Sequence, residues 1–291
     1  TVGLLQLFES VLLLICCCVS LWYHEGDLIA FGISFVINLA VGVALLGYGQ
    51  KKEMGPSRSE AYIVVALSWV FFSFFGMMPY LIGGYIPSVA DAFFETMSGF
   101  TTTGATILDN IEDMPHGILF WRSLTQWIGG LGIVCFTIVL MPGLGNGSQM
   151  LYLSEATGVT HDRLCPKIRD MARYILMVYI SLTALEIVLL EAGGMGLFDA
   201  VCHSMSTTAT GGFSTKQNSI SYWNSQYIEY VISLFMLLSS VNFSLYILAI
   251  KGQWRQISSN YEIKWFMSSV FLLTFIITIA LIVSNGYGIE E

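Results

Sequence analysis

Two short stretches of this chain carry residue types suited to one piece of chemistry, the coordination of a dehydrated cation by main-chain oxygens. The first is Thr101-Thr102-Thr103-Gly104-Ala105-Thr106, and the second runs Thr208-Ala209-Thr210-Gly211-Gly212-Phe213-Ser214-Thr215. A cation sheds its water in a narrow passage only where fixed oxygens replace it. A backbone can turn its carbonyls to one side where glycine admits positive φ. Gly104, Gly211 and Gly212 fit that need, and the threonine hydroxyls beside them could add ligands or brace the strand. The candidate ion-binding residues are therefore Thr102, Thr103, Gly104 and Ala105 with Thr210, Gly211, Gly212 and Phe213. The ion itself is expected at Thr102, Thr103, Thr210 and Gly211. This chemistry asks for no covalent catalysis and no covalent cofactor.

Such a loop needs a rigid element to aim it. Val89–Phe100 reads as a short helix, opened by Ser88 and Asp91 in capping-box spacing. A helix of about twelve residues is roughly 18 Å long, about half the hydrocarbon core of a bilayer. Irregular backbone at that depth survives only when it is buried in protein or lines water. The whole arrangement then recurs. From Asp91 to Asp199 is an offset of 108 residues, and that offset lays DAFFETMSGFTTTGATIL on DAVCHSMSTTATGGFST without a gap. Asp91/Asp199, Ala92/Ala200, Met97/Met205, Ser98/Ser206, Thr102/Thr210 and Gly104/Gly212 are identical pairs, while Thr96/Ser204 and Thr106/Ser214 keep a hydroxyl. Self-similarity over such a distance marks a repeated structural unit. Both half-helices are expected to aim their C-termini, with partial negative charge, at the ion path.

Composition sets the frame. The 291 residues are 55% hydrophobic and 11% charged, with mean hydropathy +0.70, whereas soluble domains carry about 25% charged residues. A net charge of −8 and the lack of a basic stripe exclude a nucleic-acid partner. Cys16, Cys17 and Cys18 are adjacent in an apolar run, and Cys135, Cys165 and Cys202 stand alone. With no C-x-x-C they read as small hydrophobic residues. Val2–Leu21 lacks the basic start and cleavage site of a signal peptide. Seven apolar segments are long enough to span a bilayer: Val2–Trp22, Leu28–Gly49, Ala61–Gly83, Ile118–Met141, Met171–Ala192, Tyr227–Ile250 and Ile263–Val283. The half-helices fall between the third and fourth and between the fifth and sixth. Ten of the twelve basic residues, among them Lys51, Lys52, Arg58, Arg163, Lys167, Lys251 and Arg255, collect on one side. The positive-inside rule makes that side cytoplasmic, so both half-helices enter from outside.

Other polar residues have bland readings beside sharper ones. Asp109, Glu112 and Asp113 read as an ordinary outer loop, although they could concentrate cations at a mouth. Arg122 and Glu186 lie about a turn inside their spans, where snorkelling is the simpler reading and an Arg122–Glu186 or Arg122–Glu95 pair the sharper one. Gly129, Gly130 and Gly132 suit close helix packing. Ser239, Ser240 and Asn242 suit either a cavity lining or hydrogen bonds between helices. His24, His116, His161 and His203 make no metal spacing, and His203 takes the place of Glu95 in the repeat, as a packing residue. The long connection Pro142–Asp170 is a solvated loop or a docking surface for a cytoplasmic regulator.

On these residues the chain resembles the membrane subunit of Trk-type bacterial potassium uptake systems, in the Trk/Ktr/HKT superfamily. The most specific blocks are Asp91–Leu108, PHGILFWRSLTQWIGGLGI at Pro115–Ile133, and His203–Ile220. The two helices before the first repeat favour the Trk type over Ktr. The resemblance implies an all-α polytopic membrane protein of repeated helix–pore-helix–filter loop–helix units around a potassium-channel-like pore. Residues 1–55 would be two additional helices, 56–145 the first pore repeat, 146–258 the second with its preceding cytoplasmic loop, and 259–291 the first helix of an incomplete third. It further implies potassium uptake across the bacterial inner membrane, channel-like or ion-coupled as in symport, with filter loops open to the periplasm. The implied partners are a homodimer mate, a cytoplasmic TrkA-like nucleotide-binding regulatory ring and the lipid bilayer. Gly104 resembles the potassium-conducting members. Two strands cannot surround an ion, so the expectation is the N-terminal half of a longer protein. The rival is a solute secondary transporter with re-entrant binding segments, whose half-helices would come in inverted pairs. A membrane enzyme would need convergent His, carboxylate or metal-ligand residues, which the sequence does not offer.

Overall fold

Residues 2–49, 58–132 and 168–285 are described by the structure, a computed structural model, and every regular element among them is helical. Cys135, Cys165, His161, Lys51, Lys52, Arg163, Lys167, the end of the fourth expected span and most of the Pro142–Asp170 connection lie outside the described residues. The chain forms two compact units, Thr1–Ser240 and Val241–Glu291. Five helices are long and apolar enough to cross a membrane, or six if one bent pair counts as a span.

In the first unit, α1 (Val2–Tyr23) and α2 (Leu28–Gly49) form an antiparallel hairpin. Glycine sets their spacing: a Cβ on Gly3 would lie 2.8 Å from the Leu45 Cβ, and one on Gly42 would lie 2.8 Å from the Leu7 side chain. The hairpin buries a polar seam in which Gln6 donates to Glu9 and to Asn38. The third expected span is α3 (Arg58–Gly76) followed by α4 (Met78–Ile82). Pro79 has no N–H to give, and the Tyr80 N–H turns to Met77, so the Gly76 carbonyl loses its helical donor. The indole of Trp121 supplies the replacement at 2.9 Å. Trp121 continues an edge-to-face stack with Phe100 and Phe72, all three buried, that joins three elements in one core.

The half-helix α5 (Val89–Phe100) has the limits its sequence predicts, with the Ser88 hydroxyl accepting from the Asp91 N–H at 3.4 Å. After α6 (His116–Gly130) and α7 (Ile168–Ala192) comes a second half-helix, α8 (Leu197–Thr208). Its ends are those of α5 shifted by 108 residues. A 3₁₀ turn at Ser219–Trp223 leads into α9 (Gln226–Ser240), which packs on α7 and α8 through Leu190, Met195, Ala200, Ile228, Ile232 and Phe235.

The second unit holds α10 (Phe243–Ile250), α11 (Trp254–Ser259) and α12 (Tyr261–Asn285). The expected single span Tyr227–Ile250 is thus two helices, because Asn242 stops one and starts the next. Its Oδ1 accepts from the Ser244 N–H at 3.0 Å and its Nδ2 donates to Glu262 at 3.4 Å, so Asn242 joins helices by hydrogen bonds. No residue of Tyr261–Val283 is buried. A helix apolar all round belongs in lipid or inside more protein.

Candidate cation-coordinating site

Each half-helix ends in the same way. The Thr102 N–H bonds the Gly99 carbonyl at 3.0 Å and the Thr103 N–H bonds Ser98 at 3.0 Å; 108 residues on, Thr210 bonds Thr207 at 2.9 Å and Gly211 bonds Ser206 at 2.9 Å. This is the Schellman pairing, which needs a left-handed residue after the cap. That residue is threonine both times, at φ +54° for Thr102 and +56° for Thr210. A β-branched residue there is a true outlier and costs roughly 1–2 kcal/mol. Two residues later the handedness flips again, at Gly104 (φ +75°) and Gly212 (φ +89°).

Gly211 is glycine for another reason than the expected one. Its φ is not positive, but a Cβ there would strike the side-chain amide of Gln126. A Cβ on Gly104 would run into the Gly211 carbonyl oxygen. The two loops therefore touch, backbone to backbone, with Gly104 of the first against Gly211 of the second, one residue before the Gly212 that the repeat aligns with Gly104.

The elements around them explain why. Glu95, Gly99 and Phe100 of α5 meet Arg122, Thr125 and Gly129 of α6 in that order, so the two helices run the same way. His116 and Gly130 of α6 meet Phe198 and Ala209 at the start and end of α8, which gives α8 the same direction. Both half-helices enter from one side. Gly129 lets α6 approach the Phe100 carbonyl and Gly130 lets it approach Ala209, so one glycine pair brings both half-helix ends together. At the other end of α6, Glu25 accepts from the His116 N–H at 2.6 Å, and Asp27 lies against Gly117. Burial pushes the Asp27 carboxyl above the usual carboxylate range, while the Ser20 hydroxyl that donates to it opposes the shift.

Side chains behind the loops hold them in place. Arg122 is buried and does not snorkel: its Nε meets Glu95 at 2.9 Å, Nη2 donates to the Thr106 hydroxyl at 3.1 Å, and Nη1 to the Ser214 carbonyl at 3.1 Å. The guanidinium also lies 4.3 Å from the Phe213 ring centre. Glu95 accepts from the Thr106 hydroxyl at 2.8 Å and the Ile107 N–H at 3.1 Å. In the second repeat His203 does this work, with Nε2 2.9 Å from the Ser214 hydroxyl. Glu186 pairs instead with Thr208, at 3.5 Å. The Ala105 carbonyl accepts from the Ser98 hydroxyl at 2.6 Å, which turns it toward α5, and the Thr103 hydroxyl sits 2.8 Å from that of Thr101. Outside, Glu112 is more than a loop charge, since it accepts from the Gln217 N–H at 3.0 Å and ties one repeat to the other. Gln126 escaped sequence reasoning, and Ser98 and Ser206 were noticed only as an identical pair of the repeat, not for the oxygens they hold. The only signal at Gln126 was an amide inside an apolar span. Among the described residues no group of three His, Cys, Asp or Glu could hold a metal ion.

Comparison with known proteins agrees with this fold. The family model for TrkH, cation transport protein, matches residues 28–285. The "Trk system potassium uptake protein TrkH" of Escherichia coli K12 is 36% identical over 295 residues, which are 99% of this chain and 60% of that protein. "Trk system potassium uptake protein TrkG" of the same organism is 36% identical over 86% of this chain and 52% of its own length. The crystal structure of the potassium transporter TrkH from Vibrio parahaemolyticus superposes with a TM-score of 0.83 at 32% identity, covering 98% of this chain and 59% of the other. The chain thus spans between half and three-fifths of the length of these relatives.

Proposed function

Because the chain belongs to the TrkH family of cation transport proteins, we propose that it takes part in potassium uptake across the bacterial inner membrane, its filter open to the periplasm. Potassium passes between main-chain oxygens of the two loops and of further strands that complete the ring. The observation that carries this reading is the duplicated loop, with left-handed residues two apart at Thr102/Gly104 and Thr210/Gly212, meeting between two half-helices of like direction. In a trans peptide the N–H and the preceding C=O point opposite ways. With the Thr103 and Gly211 N–H groups fixed on Ser98 and Ser206, the Thr102 and Thr210 carbonyls face away from the half-helices, toward the ion. Ala105 contributes through its backbone course, since its own oxygen is held by Ser98. The negative helix ends favour a cation there.

The family resemblance adds a homodimer and a cytoplasmic TrkA-like regulatory ring to this proposal, with domain limits as read from the sequence. Half-helices of like direction speak against the secondary-transporter reading, which asks for inverted pairs. Gly104→Ala in the intact protein tests the proposal. It should abolish growth on low potassium and rubidium uptake, with the protein still present in the membrane; undiminished rubidium uptake would overturn the filter assignment.

A further inference from the structure

We infer that Gln126 is a positioning residue that sets the direction of the Gly212 carbonyl and, through it, the discrimination between alkali cations. This rests on the pore reading above.

Gln126 is fully buried on α6, the helix that both half-helices flank. Its Oε1 accepts twice, from the Ser206 hydroxyl at 2.7 Å and from the Phe213 N–H at 3.1 Å. The second bond matters most. Phe213 N–H and Gly212 C=O share one trans peptide, so pinning the N–H behind the strand turns the carbonyl to the opposite face. Gly212, at φ +89° with nothing within 4 Å of where a Cβ would stand, has no side chain to fix that plane by packing. The first repeat lacks this device: at the position of Phe213 it has Ala105, whose carbonyl is held by Ser98. Gln126 therefore acts on one strand specifically. Its amide also fills the space where a Cβ on Gly211 would be, which keeps the strand against it.

Gln126→Met keeps the bulk of the side chain and removes the acceptor. In the intact protein reconstituted into liposomes, rubidium and sodium uptake are measured on one preparation and normalised to incorporated protein. The rubidium-to-sodium ratio should fall roughly fivefold, about what one net hydrogen bond is worth. A glutamine that only stabilised the fold would scale both fluxes together, and an unchanged ratio overturns the inference. Ser206→Ala, which removes one of the two donors, should move the ratio the same way by a smaller factor. Where Gln126→Met yields no incorporated protein, the Ser206→Ala ratio decides, and its constancy overturns the inference. Gly212→Ala run alongside keeps the two levels apart. Lost uptake there with a constant Gln126→Met ratio removes Gln126 alone, while full uptake there removes the pore reading and this inference with it.

Discussion

Arg122 and Glu95 meet at 2.9 Å with 1% and 0% of their side chains exposed, so neither charge has water to return to. Each is further satisfied, the arginine by Thr106 and Ser214 and the glutamate by Thr106 and Ile107. Removing one partner strands the other, which costs about 3–5 kcal/mol when a buried pair is broken. Arg122→Met and Glu95→Gln should each lower the thermal midpoint of the extracted protein strongly, and the double variant should recover much of the loss. Additive losses in that double-mutant cycle would show that the pair is not coupled. The sequence offered the Arg122–Glu95 pair as one of two pairings beside snorkelling, and could not choose among them. Snorkelling explains a charge one turn inside a span equally well, and only the depth of α5 beside α6 decides for Glu95 over Glu186.

The half-helices and their loops are the elements that carry the account. Their limits were legible because Ser88 caps α5 and because one offset maps the two segments onto each other. The loop conformation was legible only in part. Glycine is the default for positive φ, so Gly104 and Gly212 could be foreseen, whereas left-handed Thr102 and Thr210 follow from a Schellman turn that the three-dimensional packing imposes. Gly211 owes its lack of a Cβ to Gln126, a neighbour 85 residues away (211 minus 126) that no local pattern reveals. The strain has a measurable consequence. Thr102→Gly should hold or raise the thermal stability of the extracted protein, by up to about 1–2 kcal/mol, because it relieves a left-handed β-branched residue. A clear loss of stability would contradict that reading.

At the scale of the whole molecule, the described residues place two half-helix-and-loop units around one helix, α6, whose length serves both: His116 and Glu25 at its start, Arg122 and Gln126 along it, Gly129 and Gly130 at its end. The long apolar runs announced most of the spans, and the break at Asn242 was missed because an asparagine in an apolar run looks like any other polar residue in a membrane. The most direct test of the central claim is the anomalous scattering of rubidium in crystals of the intact protein. The account predicts a peak on the path between the two loops, within coordinating distance of the Thr102 and Thr210 carbonyl oxygens. Rubidium held instead by side-chain carboxylates away from Gly104 and Gly211, with nothing between the loops, would contradict it.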